Sequence, residues 1–140
     1  YGGYAATQSV MMEPDLFKCS VSDVGVYDLI SLMTKKGDIQ ASRGGKPQLK
    51  IRLGTDEERH KEMSPSYNAN KLTTPFFIIH GENDIRAPYE DAVLFSKQLN
   101  KLGIDHQTLW IKKEGHGYFD EEVRYNHNMA VLEFFNKHLN

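Results

Sequence analysis

The pattern of apolar and polar positions is sharpest in the second half of the chain. Residues 75–84, PFFIIHGEND, hold a short continuous apolar run that stops at His-Gly, which predicts a strand covered on both faces. Ala92, Phe95, Leu99 and Leu102 then recur at i, i+3, i+7 and i+10, one apolar stripe on a helix that Gly103 can terminate. HQTLWIKK at 106–113 reads as a second strand. Tyr125, Met129, Leu132, Phe135 and Leu139, with Phe134 beside them, read as a last amphipathic helix. Upstream, the small residues Gly2, Gly3, Ala5 and Ala6 open a helix able to lie close to a strand, and Pro14 marks where it has ended. Phe17 to Val26 mixes β-branched and aromatic residues over a strand's length. Lys35 to Gln48 carries glycines without an apolar period and reads as a surface loop or short irregular elements; TDEERHKEM at 55–63 reads as a solvated helical face. Alternation of strand and helix predicts an α/β fold, a parallel sheet sandwiched by helices.

Composition narrows the functional classes. With 140 residues, 39% hydrophobic and 26% charged, the chain fits one globular domain. A formal net charge of -2 supplies no basic field for polyphosphate, so no nucleic-acid partner is expected. No apolar run approaches the roughly 18 to 20 residues of a membrane span, and no membrane partner is expected either. A single cysteine, Cys19, cannot close an internal disulfide and is expected to pack in a buried strand, which leaves the compartment open. Neither H-E-x-x-H nor a Cys/His ligand spacing occurs, and no glycine loop has the form that cradles phosphate, so no metal or cofactor is expected.

In parallel sheets, catalytic groups gather at the carboxyl ends of the strands. Asp84 follows one apolar run and His116 follows the other. On neighbouring strands about 4.8 Å apart, their loops can bring a carboxylate to an imidazole, with Gly115 and Gly117 letting the histidine loop turn sharply. A carboxylate on one ring nitrogen fixes the tautomer and leaves the other nitrogen free to take a proton from a nucleophile. Asp84 could instead cap the helix that begins near Tyr89. His80 reads as a structural histidine bonded to backbone, while His60, His106, His127 and His138 read as solvated. The hydroxyl that such a pair would activate is missing, but Tyr1-Gly2-Gly3 fits the second half of a G-x-S-x-G nucleophile elbow whose serine would stand just before Tyr1.

The stretches YGGYAA, SPSYNANKLTTPFFIIHGENDIRAP and EGHGY resemble the catalytic domain of the prolyl oligopeptidase family, including its dipeptidyl peptidase and acylaminoacyl peptidase branches. The resemblance runs from residue 1 to residue 140. It implies the C-terminal part of a three-layer α/β-hydrolase sandwich, preceded in the family by a β-propeller, and a serine peptidase acting on short peptides. By the resemblance Asp84 and His116 are the triad acid and base, and the Tyr1 backbone N–H is an oxyanion donor. Arg86 matches a position that holds a substrate carbonyl, or is a surface charge paired with Glu82 or Glu90. Val24 and Tyr27 match the region lining the specificity pocket, or belong to the core. The alternatives in function are a carboxylesterase and a non-catalytic α/β interaction domain. Without the serine the 140 residues are expected to be inactive. The strand from Phe17 to Val26 is expected to present an open edge, inviting a second copy or the upstream part of the domain.

Overall fold

In the computed structural model, which describes residues 1–34 and 38–139, a parallel sheet of three strands lies between helices on both faces. The elements in order are α1 (Gly2–Met12), β1 (Ser20–Asp23), α2 (Leu29–Thr34), α3 (Asp38–Ala41), α4 (Gly45–Leu53), α5 (Glu57–Glu62), a 3-10 segment (Pro65–Lys71), β2 (Phe76–Gly81), α6 (Tyr89–Lys101), β3 (His106–Ile111) and α7 (Glu121–Leu139). β2 is central: Ser22 lies opposite Ile78, and Ile79 opposite Leu109. All six of its residues are buried, as a strand covered on both faces requires.

Pleating divides the core in two. Phe76 and Ile78 point to one face, where Val10 and Met11 of α1 and Ala92, Phe95 and Leu99 of α6 meet them. Phe77 and Ile79 point to the other, against Cys19, Ile111 and Phe134 of α7. Phe95 stacks on Tyr27 with ring centroids 4.7 Å apart, and both are fully buried. Burying one such aromatic contributes about 1.5 to 3 kcal/mol. Close approach of α1 to β1 depends on Gly3, where an added Cβ would stand 2.4 Å from the Asp23 carbonyl oxygen. Below that contact Thr7 donates to the Ser22 hydroxyl at 3.0 Å, and Ser22 and Tyr27 share a bond of 2.7 Å, so these buried hydroxyls are satisfied.

Several expectations need correction. β1 is limited to Ser20–Asp23, shorter than the stretch from Phe17 to Val26. The loop expected over residues 35–48 contains α3 and the start of α4; its residues 35–37 lie outside the described ones. On α7 the apolar stripe is rotated: Tyr125, Leu132 and Leu139 are exposed, whereas Phe134 is buried and Val123, Ala130 and Val131 pack beside it. Leu102 is half exposed past the end of α6, although Ala92, Phe95 and Leu99 are buried as expected. His60 of α5, expected to be solvated, is buried with its Nε2 3.1 Å from the Leu53 carbonyl oxygen.

Candidate active site

β2 delivers Asp84 through a tight turn. The chain leaves Gly81, the Asp84 amide donates back to the Gly81 carbonyl at 3.2 Å, and the Glu82 amide donates to Ile111 at 2.9 Å, so the turn stays tied to β3. The two carboxylate oxygens of Asp84 then take separate tasks. Oδ1 accepts from the backbone amides of Arg86 (2.8 Å) and Ala87 (3.0 Å), an Asx turn that leads the chain toward α6. Oδ2 faces the His116 ring, whose Nδ1–H donates to it at 2.8 Å. Asp84 does not cap α6, whose N-cap residue is Pro88 and which has no side-chain cap; its Oδ1 closes the turn ahead of the helix and its Oδ2 is bonded to His116.

Behind the carboxylate lies His80, fully buried, with its Nε2 2.8 Å from the Ala87 carbonyl oxygen and 3.4 Å from Asp84 Oδ2. Its backbone partner is the one its place at the strand end suggests. Burial by itself would raise the Asp84 pKa; hydrogen bonds from His80, His116 and the two amides outweigh it and hold the carboxyl down at about 2. The Asp84 side chain is 0% exposed, yet it stays ionised near neutrality because its lone pairs are occupied by donors.

β3 delivers His116 through a looser turn. Gly81 lets the two loops touch, for a Cβ there would stand 2.4 Å from the Gly115 carbonyl oxygen and 2.5 Å from that of Glu114. The Asn83 amide donates to Glu114 at 2.9 Å across this contact. Gly117 has φ +144°, a conformation that side-chain-bearing residues rarely adopt, and it reverses the chain so that the His116 ring returns over the sheet. Of the two flanking glycines only Gly117 needs its freedom; Gly115 does not have a positive φ. Beyond the turn the Tyr118 hydroxyl donates to Asp23 Oδ1 at 2.6 Å.

A largely apolar cavity of about 460 Å³ opens beside the imidazole. Tyr1, Val26, Leu29, Met63, Arg86 and His116 are among the residues that line it. Tyr1 and Arg86 thus share a cavity with His116. Arg86 pairs with neither Glu82 nor Glu90 but with Asp38, Nε to Oδ2 at 2.8 Å. Of the two readings of Tyr27, pocket lining and core, the core holds, since its exposure is 0%. Val24 does not line the cavity either. Its φ of +45° breaks the alternation of the strand, and the residue that turns into the cavity is Val26.

Sequence reasoning missed Val26, Leu29 and a polar cluster at the end of β1. Asp23 there accepts from Tyr118 and stands 2.9 Å from His127 Nε2, so His127, read as solvated, is tied to the sheet. The rule that selected Asp84 and His116, attention to polar residues where a strand ends, would have selected Asp23 as well.

Chemically, a buried ionised carboxylate on Nδ1 holds the ring in the tautomer whose Nε2 carries a lone pair, and it stabilises the imidazolium formed when that nitrogen takes a proton. The model of the prolyl oligopeptidase family matches residues 1–140. Dipeptidyl aminopeptidase BIII of Pseudoxanthomonas mexicana is 31% identical over 140 residues, covering 96% of this chain and 20% of that protein. Dipeptidyl peptidase family member 6 of Caenorhabditis elegans is 32% identical over 123 residues, 84% of this chain and 16% of its own length. Among solved structures, the uncomplexed acylaminoacyl peptidase of Pyrococcus horikoshii superposes with a TM-score of 0.85 at 26% identity, covering 99% of this chain and 23% of that one. The chain thus spans a fifth or so of the length of the relatives it matches.

Proposed function

The chain belongs to the prolyl oligopeptidase family, and on that premise we propose that it carries the acid and the base of a serine peptidase whose nucleophile stands immediately before Tyr1. The observation that carries this reading is the 2.8 Å bond from His116 Nδ1 to the fully buried Asp84, with His116 and Tyr1 lining one apolar cavity. In the proposed reaction His116 Nε2 takes the serine proton as the hydroxyl attacks the scissile carbonyl, and the Tyr1 backbone N–H donates to the oxyanion that forms. The same imidazole then protonates the leaving amine, and water releases the acyl group by the reverse relay. The cavity takes the apolar side chain before the scissile bond, and Arg86 in its lining takes a substrate main-chain carbonyl. Short peptides are the proposed substrates, in keeping with relatives named as dipeptidyl and acylaminoacyl peptidases. The open edge of β1, whose sheet neighbour among the described residues is β2, is the side where the strand leading to the nucleophile would add.

Covalent labelling of the parent protein by a fluorophosphonate tests this reading, together with hydrolysis of an aminoacyl nitroanilide. The parent is expected to label and to hydrolyse, His116→Ala to lose both by about 10⁶-fold, and the 140 residues alone to do neither. Labelling that His116→Ala leaves unchanged would overturn the assignment.

A further inference from the structure

The loop that carries His116 has an anchor ahead of the histidine, where the Asn83 amide donates to Glu114. After the histidine come Gly117 and then Tyr118, and from there the nearest regular element is α7, starting at Glu121. Within residues 115–118 the backbone is shaped by the positive φ at Gly117 and by a narrow bridge between Gly115 and Gly117. The second anchor is made of side chains. The Tyr118 hydroxyl donates to Asp23 Oδ1 at 2.6 Å, and the other oxygen of Asp23 lies 2.9 Å from His127 Nε2. The Tyr118 and His127 rings are themselves in contact, centroids 4.9 Å apart. Three residues from the end of β1, the histidine loop and α7 therefore close a cycle, separated by 95 and 104 positions along the chain.

Several features set this cycle apart from incidental surface pairing. His127 keeps only 15% of its side chain exposed and Asp23 37%, so neither is a freely solvated partner. Burial and the Asp23 carboxylate together push the Tyr118 phenol well above its ordinary pKa, so near neutrality it remains a donor to Asp23. Asp23 is also part of the sheet: it pairs in register with Ile79 of β2, five residues before Asp84. A loop fixed to Asp23 is thereby fixed to the same rigid frame that carries the acid.

We propose that Asp23, Tyr118 and His127 are positioning residues that pin the His116 loop to the sheet from its far side, so that the imidazole stays on Asp84 rather than swinging out on its glycines. This rests on the peptidase reading only for its kinetic consequence; the geometric claim stands by itself. Both can be read separately. In the 140-residue chain, the His116 Nδ1–H proton bonded to a carboxylate gives a downfield NMR resonance. Tyr118→Phe, which deletes one oxygen and keeps the ring, is expected to abolish or broaden that resonance while the amide spectrum of β2 and α6 stays folded. Asp23→Asn, which retains an acceptor for the phenol, is expected to preserve more of it. His127→Gln tests the cycle from α7, should Tyr118→Phe not fold. In the parent protein, Tyr118→Phe is expected to lower kcat about tenfold or more with KM within about twofold, since a misplaced base affects the chemical step more than substrate binding. A resonance as sharp in Tyr118→Phe and His127→Gln as in the unmodified chain would overturn the proposal even if the protein is a peptidase. If the resonance is lost but the unmodified parent neither hydrolyses nor labels, the positioning claim holds and the peptidase reading fails.

Discussion

The two loops that meet above β2 and β3 are built on opposite principles. In the first, Asp84 is fully buried, with each carboxylate oxygen bonded, and its turn is stitched to β3 by amides of the preceding residues. In the second, the His116 side chain is 26% exposed, makes one side-chain bond and lies between two glycines. The carboxylate is a piece of the fold; the imidazole is an appendage held against it. Such a division suits a proton relay, where the acid must keep one orientation while the imidazole faces its partner on one nitrogen and a reacting group on the other. Asp84→Asn attacks the rigid side of this contrast and has the largest expected effect. The amide can still accept from Arg86 and Ala87 but offers Nδ1 a donor or a neutral oxygen, so the ring loses the tautomer it needs. On the proposed peptidase reading, kcat of the longer protein is expected to fall about 10⁴-fold, measured with an aminoacyl nitroanilide, while the thermal transition moves much less.

Contact between the loops is the next target. Gly81→Ala would drive a methyl against the Gly115 and Glu114 carbonyl oxygens at distances no real Cβ shows, and the obstacle is backbone on both sides. One loop must move. The expected result is a loss of roughly 2 to 4 kcal/mol in urea unfolding, with loss of the His116 hydrogen bond. Wild-type stability in this variant would mean that the two loops are not packed as described.

The same contrast explains what the sequence disclosed. β2 and the Ala92, Phe95 and Leu99 stripe were legible because a fully buried strand and a one-sided helix leave unambiguous periods. From there the position of Asp84 followed, and so did the meeting with His116, since both rest on strands. α7 was less legible: apolar residues lie on more than one of its faces, and which face meets the sheet is decided by Phe134 contacting Phe77, a tertiary choice. Val24 was given the pocket position that Val26 holds because a positive φ at Val24 resets the in-and-out alternation just where the strand ends. α3 and α4 escaped notice because they have almost no apolar face of their own, and buried residues are absent from α3. Asp23 stood at a strand end where the same rule would have found it, but its pairing with His127, 104 positions away, leaves no local trace.

Acid titration sharpens the comparison from the side of charge. The Asp84 carboxyl is held at about 2 in the folded chain, below its ordinary value of 3.8. A depressed folded pKa means that its contribution to stability is fully present above about pH 4 and is lost as the pH falls through about 2. Other carboxylates titrate in the same window, so the useful quantity is a difference between proteins. Between pH 5 and pH 2.5, the unmodified chain is expected to lose roughly 1 to 2 kcal/mol more than Asp84→Asn does. Parallel losses in the two proteins would show that the donors around Asp84 do not favour its ionised form.

The smallest expected effect lies on the histidine side and tests whether both glycines beside His116 are needed. Gly115 has no positive φ, and a Cβ built on it meets only the Asn83 carbonyl oxygen at 3.6 Å, an ordinary contact. Gly117, at φ +144°, would be strained by any side chain. Gly115→Ala should therefore fold without cost and gain about 0.5 kcal/mol by restricting the unfolded chain, whereas Gly117→Ala should lose about 1 to 3 kcal/mol. Thermal melts of the two variants decide the matter. Equal losses would mean that the loop needs flexibility on both sides of the histidine; a gain at 115 with a loss at 117 would mean that the base is aimed by a single reversal of the chain, immediately after the ring.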